Sequence, residues 1–335
     1  MTHEKINTTE RLATAGTLLG AFSVALLVAE AKATADDRVK GSDKASVISN
    51  IRNGEYATFT VPGYHADGAI LGKNLDRHFE QMGTTHYAVH PERGFSLDSI
   101  REEWLKARAL DGHRPARIYA LSMGGLLVSK LFSDPEFHKE FGEIDRLVLD
   151  SALSGKKDLS NGTKLAMGLG AVLPVTYSTA RFYRMISNIE NKGQLAHAPE
   201  VTDAEVKERY AAGARMHFSA GKDEILFMHN EDVERLDLRE AGNEIRGGII
   251  YLQSAKDHLV NTLRSSQSYS NSYEQDIQCR IDTARPLGSH ASGPEFPKGA
   301  VDALLDRDPN NYRIRTIRHT LPRFSQNAVN LKPAA

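Results

Sequence analysis

Residues 116–132 constrain the fold of this 335-residue chain more than any other stretch. A short run of apolar and aromatic residues, Ile118-Tyr119-Ala120-Leu121, stops abruptly on Ser122. Gly124 and Gly125 follow, and an apolar, helix-forming segment begins at once. That order describes a strand that bends sharply into a helix and carries a hydroxyl at the apex of the bend. Gly124 has a mechanical role in such a bend. A side chain two residues after the serine would strike the neighbouring strand, and glycine has no Cβ to strike it. Ala120, two residues before the serine, is nearly as small and suits the same crowded corner.

The flanking segments extend the pattern. Residues 55–62 read as a strand that stops at Gly63, and residues 69–82 carry Ile70, Leu71, Leu75, Phe79 and Met82 at helical spacing. Residues 84–89 read as a strand broken by His90-Pro91, 97–110 as a helix built on Leu97, Ile100, Trp104 and Leu105, and 144–149 as a further strand. Strands alternating with helices of this length predict a parallel sheet with right-handed crossovers. In such sheets reactive groups gather beyond the carboxyl ends of the strands, where Ser122 and the Gly63 turn both fall.

The alternation stops after Ser151. An apolar, glycine-rich stretch (165–175) and an aromatic, basic one (Tyr177, Arg181, Phe182, Tyr183, Arg184) predict a helical cap at about 152–205. It then resumes with a strand at 214–220 ending at Gly221-Lys222-Asp223, a helix at 231–240 and a strand at 248–253 leading to Asp257-His258. The α/β domain is therefore expected over 54–264. Residues 265–335, rich in Ser, Asn, Pro and charge, are expected to form a largely irregular tail with a short helix near 301–305.

The first 53 residues form an apolar segment and a polar linker. Residues 12–29 carry no charge, Lys5 and Arg11 precede them, and Ala29-Glu30-Ala31 and Ala31-Lys32-Ala33 resemble small-x-small cleavage sites. A signal peptide or a short membrane anchor is expected there, with export or membrane association. A packed alanine-rich helix is the alternative. The net charge of -1 gives no reason to expect a nucleic-acid partner. The lone cysteine, Cys279, excludes an internal disulfide and a cysteine-built zinc site, and the histidines show no spacing suited to a metal. No cofactor and no metal are expected.

A serine lifted out of such a bend becomes a nucleophile when a histidine takes its proton, a carboxylate orients that histidine, and N–H donors receive the developing oxyanion. His258, after the last expected strand, is the candidate base, and Asp223, one crossover earlier, the candidate acid. Asp150, at the end of the strand after the serine's helix, is the alternative acid, and Glu224 stands in if the turn is one residue off. Asp257 directly precedes His258 and is expected to face away from its ring. The backbone N–H groups of Met123 and Tyr64 are the candidate oxyanion donors.

Taken in order, the Pro62-Gly63-Tyr64-His65 turn, the loop 90–96 (His-Pro-Glu-Arg-Gly-Phe-Ser), the Ser-Met-Gly-Gly bend, Gly221-x-Asp223 and His258 resemble the α/β-hydrolase superfamily over roughly residues 55–263. The resemblance implies a mostly parallel sheet flanked by helices, with the cap inserted after the strand ending near Asp150. It also implies a Ser…Asp…His order and cofactor-free hydrolysis through an acyl-enzyme. Three positions depart from the family pattern: Ala120 for the first glycine of the bend, Pro62 for the usual histidine, and Asp257-His258 for the usual Gly-His. Carboxylic ester cleavage is the expected activity, and the apolar cap points to a lipid-like or other hydrophobic acyl substrate. The same machinery would serve a thioesterase or amidase, and a non-catalytic binding protein on this fold is the rival from another class.

Overall fold

The structure is a computed structural model that describes residues 44–64, 68–91, 94–161, 164, 218–233, 245–257, 259–285, 290–291, 297–307 and 312–319. The apolar segment 12–29, the cap segment 165–217 and His258 lie outside the described residues. Among the described residues no helix is long and apolar enough to cross a membrane.

Among the described residues eight strands make one sheet: β1 (Ser46–Asn50), β2 (Ala57–Val61), β3 (Thr84–Val89), β4 (Ala116–Leu121), β5 (Ile144–Asp150), β6 (Ile249–Ser254), β7 (Ile277–Asp282) and β8 (Tyr312–Ile317), in the order β1-β3-β2-β4-β5-β6-β7-β8. The pairings from β3 to β7 are parallel, and β1 and β8 close the two edges antiparallel. The chain moves outward from β2 to β3, then returns across β2 to place β4 on its other side. The crevice beyond the ends of β2 and β4 is thus the point where strand order reverses, the usual ligand position in open α/β sheets.

Helices α1 (Gly68–Phe79), α2 (Leu97–Asp111), α3 (Met123–Phe132), α4 (Pro135–Phe141), α5 (Phe218–Asn230), α6 (Thr262–Tyr273) and α7 (Pro297–Leu304) accompany the sheet. Period-two alternation along the strands sorts side chains into two cores. Tyr119 and Leu121 of β4, Val148 of β5, and Ile250 and Leu252 of β6 pack with Leu71, Leu75 and Phe79 of α1 and Val301 and Leu304 of α7. Ile118, Leu147, Leu149 and Ile249 point to the other face, against Trp104 of α2, Leu127 of α3, Phe141 of α4 and Tyr269 of α6. Strands covered on both faces carry near-continuous apolar runs, which is how β2 to β6 read in the sequence.

Three expectations change. The described part of 265–335 is not irregular: it supplies most of α6, all of α7 and two strands of the sheet, and α7 fills one of the two cores. The polar stretch before residue 54 already contains β1, an edge strand hydrogen-bonded to β3. Residues 218–220, expected to end a strand, begin α5 instead, while 231–233 lie beyond its end and the rest of the helix expected at 231–240 is outside the described residues.

Candidate active site

Ser122 sits between the end of β4 and the start of α3 with φ 48° and ψ -117°. A non-glycine residue at positive φ costs of order 1–3 kcal/mol and is held only where its surroundings leave no alternative. Those surroundings are visible. The Ser122 N–H donates to the Asp150 carbonyl at 3.0 Å, and the Ser122 carbonyl accepts from Gly125 at 3.2 Å and Leu153 at 3.3 Å. A Cβ on Gly124 would lie 2.7 Å from the carbonyl oxygens of both Val61 and Pro62, the close approach anticipated for this position. A Cβ on Gly63 would lie 2.9 Å from Ser122 Cβ, so the turn after β2 rests directly against the serine. The serine is only partly buried, whereas Met123 behind it is fully buried.

The imidazole at this hydroxyl is that of His290; His258, the expected base, lies outside the described residues. Ser122 Oγ lies 2.7 Å from His290 Nε2, and His290 Nδ1 lies 2.8 Å from Asp257 Oδ2. An ionised carboxylate only accepts, so Nδ1 carries the proton toward Asp257 and Nε2 is left to accept from the serine hydroxyl. Asp257, set aside in the sequence because it directly precedes His258, is therefore the residue that orients the His290 ring. The N–H groups of Leu259 (2.8 Å) and Val260 (3.0 Å) both donate to its other oxygen, Oδ1. Burial works to raise the Asp257 carboxyl, but the charge and hydrogen bond of His290 and these two amides outweigh it and leave the group below its ordinary value. For His290, burial works to lower the imidazole, and the adjacent Asp257 outweighs it, so the ring protonates more readily than usual. The Asp257 side chain is sealed, while 14% of the His290 side chain remains exposed.

Neither expected acid occupies that place. Asp223 lies within α5 rather than at a strand end, and its neighbour Glu224 is buried 2.8 Å from His90 Nδ1. Asp150 is fully buried, with its two oxygens bonded to Arg285 at 2.6 and 2.8 Å and one of them to the Tyr119 hydroxyl at 2.5 Å. The order along the chain, serine then aspartate then histidine, holds with the last two members shifted. Both follow parallel strands, Asp257 after β6 and His290 after β7. The signal for His290 was Ile277-Gln278-Cys279-Arg280-Ile281, an alternating run that ends before it.

A second Ser–His–Asp chain shows what the first has in addition. Ser49 Oγ lies 2.8 Å from His86 Nδ1, and His86 Nε2 lies 3.0 Å from Asp111 Oδ2. His86 sits within β3 rather than beyond its end, its ring and the Asp111 carboxylate are both sealed, and Arg108 grips both Asp111 oxygens. With the carboxylate already neutralised and no strained turn presenting the serine, this is a satisfied polar network inside the fold. Among the described residues no group of three or more His, Cys, Asp or Glu side chains is placed to hold a metal.

This chain has the α/β-hydrolase fold: a mostly parallel eight-stranded sheet flanked by helices, with a serine at the sharp turn after β4. Among solved structures it is similar to MenH from S. aureus, at 12% identity and TM-score 0.53 over 78% of this chain and 97% of that one. It is likewise similar to the esterase EaEST from Exiguobacterium antarcticum, at 11% identity and TM-score 0.53 over 80% and 98%. A third is the enol-lactonase from Burkholderia xenovorans, at 10% identity and TM-score 0.51 over 78% and 95%. No family model matches the sequence, and no curated protein matches it.

Proposed function

We propose that this protein is a serine hydrolase that cleaves a carboxylic ester through an acyl-enzyme on Ser122. The observation that carries this reading is the unbroken hydrogen-bond path from Ser122 Oγ through His290 to Asp257, ending on a partly exposed serine in a strained turn. In the first step the Ser122 oxygen attacks the substrate carbonyl while its proton passes to His290 Nε2. Asp257 stabilises the imidazolium that results and is not itself protonated. The oxyanion is received by the N–H of Met123, at the start of α3, and the N–H of Tyr64, beyond the Gly63 turn packed on Ser122. His290 then gives its proton to the departing alcohol, and a water activated by the same ring releases the acid.

Solved structures of the same fold titled as esterases, hydrolases and a lactonase support carbonyl chemistry of this kind. A hydrophobic acyl group is the proposed substrate side, on the apolar sequence of residues 165–175. Export or membrane tethering is proposed from the uncharged run 12–29. Thioesters and amides would pass through the same steps, so a panel of p-nitrophenyl esters of increasing chain length, run beside matching thioesters and anilides, assigns the bond and the acyl length.

A fluorophosphonate probe tests the nucleophile without knowledge of the substrate. The wild-type protein should be labelled and Ser122→Ala should not; equal labelling of the two would move the nucleophile elsewhere. The pH dependence follows from the neighbours of His290. Only the neutral ring can accept the serine proton, and Asp257 favours the charged ring. The acid limb of the labelling rate should therefore lie above the ordinary imidazole value of about 6.5. A limb below that value would mean that Asp257 does not act on this ring.

A further inference from the structure

We propose that the buried Asp150–Arg285 ion pair is a positioning device that sets the Ser122–His290 contact and cancels a second negative charge beside the imidazole. It rests on the reading of Ser122 as the nucleophile. Asp150 holds the site from both sides. Its backbone carbonyl accepts the Ser122 N–H at 3.0 Å, which fixes the strained turn. Its carboxylate is gripped by the Arg285 fork at 2.6 and 2.8 Å, and Arg285 lies just beyond β7, five positions before His290 in the sequence. One residue thus ties the serine's turn and the histidine's loop to the same strand end. A two-pronged charged hydrogen bond fixes orientation as well as distance, which a lone apolar contact would not.

Two more groups complete the network. The Tyr119 hydroxyl of β4 donates to Asp150 Oδ2 at 2.5 Å, and Asp282 of β7 lies 3.3 Å from Arg285 Nε. The pair is fully sealed: both side chains are 0% exposed. Such a pair contributes little net stability over an apolar replacement of similar volume, yet loss of one partner leaves a stranded charge. Among the described residues the charged groups acting on His290 are Asp257 in direct contact, Asp150 from β5 and Arg285 just beyond β7. The negative charge of Asp150 favours the protonated ring and the positive charge of Arg285 opposes it. Paired, they offset each other, and among the described residues Asp257, in direct contact, acts most strongly on His290.

The experiment is the pH dependence of fluorophosphonate labelling of the full-length protein, in wild type, Arg285→Met, Asp150→Asn and the double variant carrying both. In Arg285→Met the uncancelled Asp150 should move the acid limb up by about one pH unit. In Asp150→Asn the uncancelled Arg285, partly answered by Asp282, should move it down by less. In the double variant the two charges of the pair are removed together and only Asp282 loses its contact with Arg285, so the limb should return close to the wild-type position. Its plateau rate should stay about tenfold or more below wild type, because the tie between turn and loop is gone. The double variant keeps the test decisive if a single variant fails to fold. A double variant that labels at the wild-type plateau rate overturns the proposal, as do single variants that keep both the wild-type limb and the wild-type plateau. A wild-type protein that is not labelled at all overturns the nucleophile assignment instead.

Discussion

His290→Ala is expected to lower kcat/KM by on the order of a millionfold, about as much as removing Ser122 itself, because members of such a unit fail together. Without the imidazole the Ser122 hydroxyl keeps its proton and is a poor nucleophile. Asp257→Asn should cost less, about ten-thousandfold, since the ring remains but loses the carboxylate that selects its tautomer and stabilises its charged form. His258→Ala and Asp223→Asn should both run at close to the wild-type rate, because the described hydrogen-bond path from Ser122 Oγ runs through His290 to Asp257. Steady-state kinetics on a p-nitrophenyl ester, with circular dichroism to show that each variant is folded, separates these outcomes. If His258→Ala were the more damaging substitution, the imidazole assignment would have to be reversed.

The second large effect is steric. In Gly124→Ala the new Cβ would meet the Val61 and Pro62 carbonyl oxygens at 2.7 Å, and both are backbone atoms with no rotamer to escape into. Either α3 lifts or the end of β2 moves, at a cost of about 1–3 kcal/mol in stability. The catalytic penalty should be larger than the folding penalty. The displaced segment leads into the Gly63–Tyr64 turn, which supplies a proposed oxyanion donor, and loss of one such donor costs about a hundredfold to a thousandfold in kcat. A variant with a lowered melting temperature but an unchanged kcat would show that the turn after β2 takes no part in the chemistry.

The strands legible in the sequence are those covered on both faces. Residues 116–121 and 144–149 are so rich in apolar and β-branched residues that their type and bounds agree with β4 and β5 to within a residue. β7 and β8 hide because charge interrupts them. In β7, Gln278, Arg280 and Asp282 suggest a solvent face, yet Arg280 is fully buried and answered by Gln278, the Arg307 carbonyl and Asp306. In β8, Arg313 and Arg315 alternate with Tyr312 and Ile314 at an exposed sheet edge. A strand count that stops at β6 selects the histidine nearest its end, His258, and moves the acid back to Asp223. Counting β7 shifts both roles one crossover onward, to Asp257 and His290. Asp223 was a decoy for a second reason: a short apolar run such as 214–220 has no periodicity that separates strand from helix. Ser122, Gly63 and Gly124 were legible because one sharp bend demands small residues at fixed offsets from it.

His290 stands 168 positions after the serine it touches, beyond the last parallel strand of the sheet. Domains take shape from the amino terminus as they leave the ribosome. A partly synthesised polypeptide could therefore raise its serine long before any ring arrives to draw off the proton. Reactivity would then switch on only after the segment beyond β7 has emerged, and chains cut short before it would remain chemically silent.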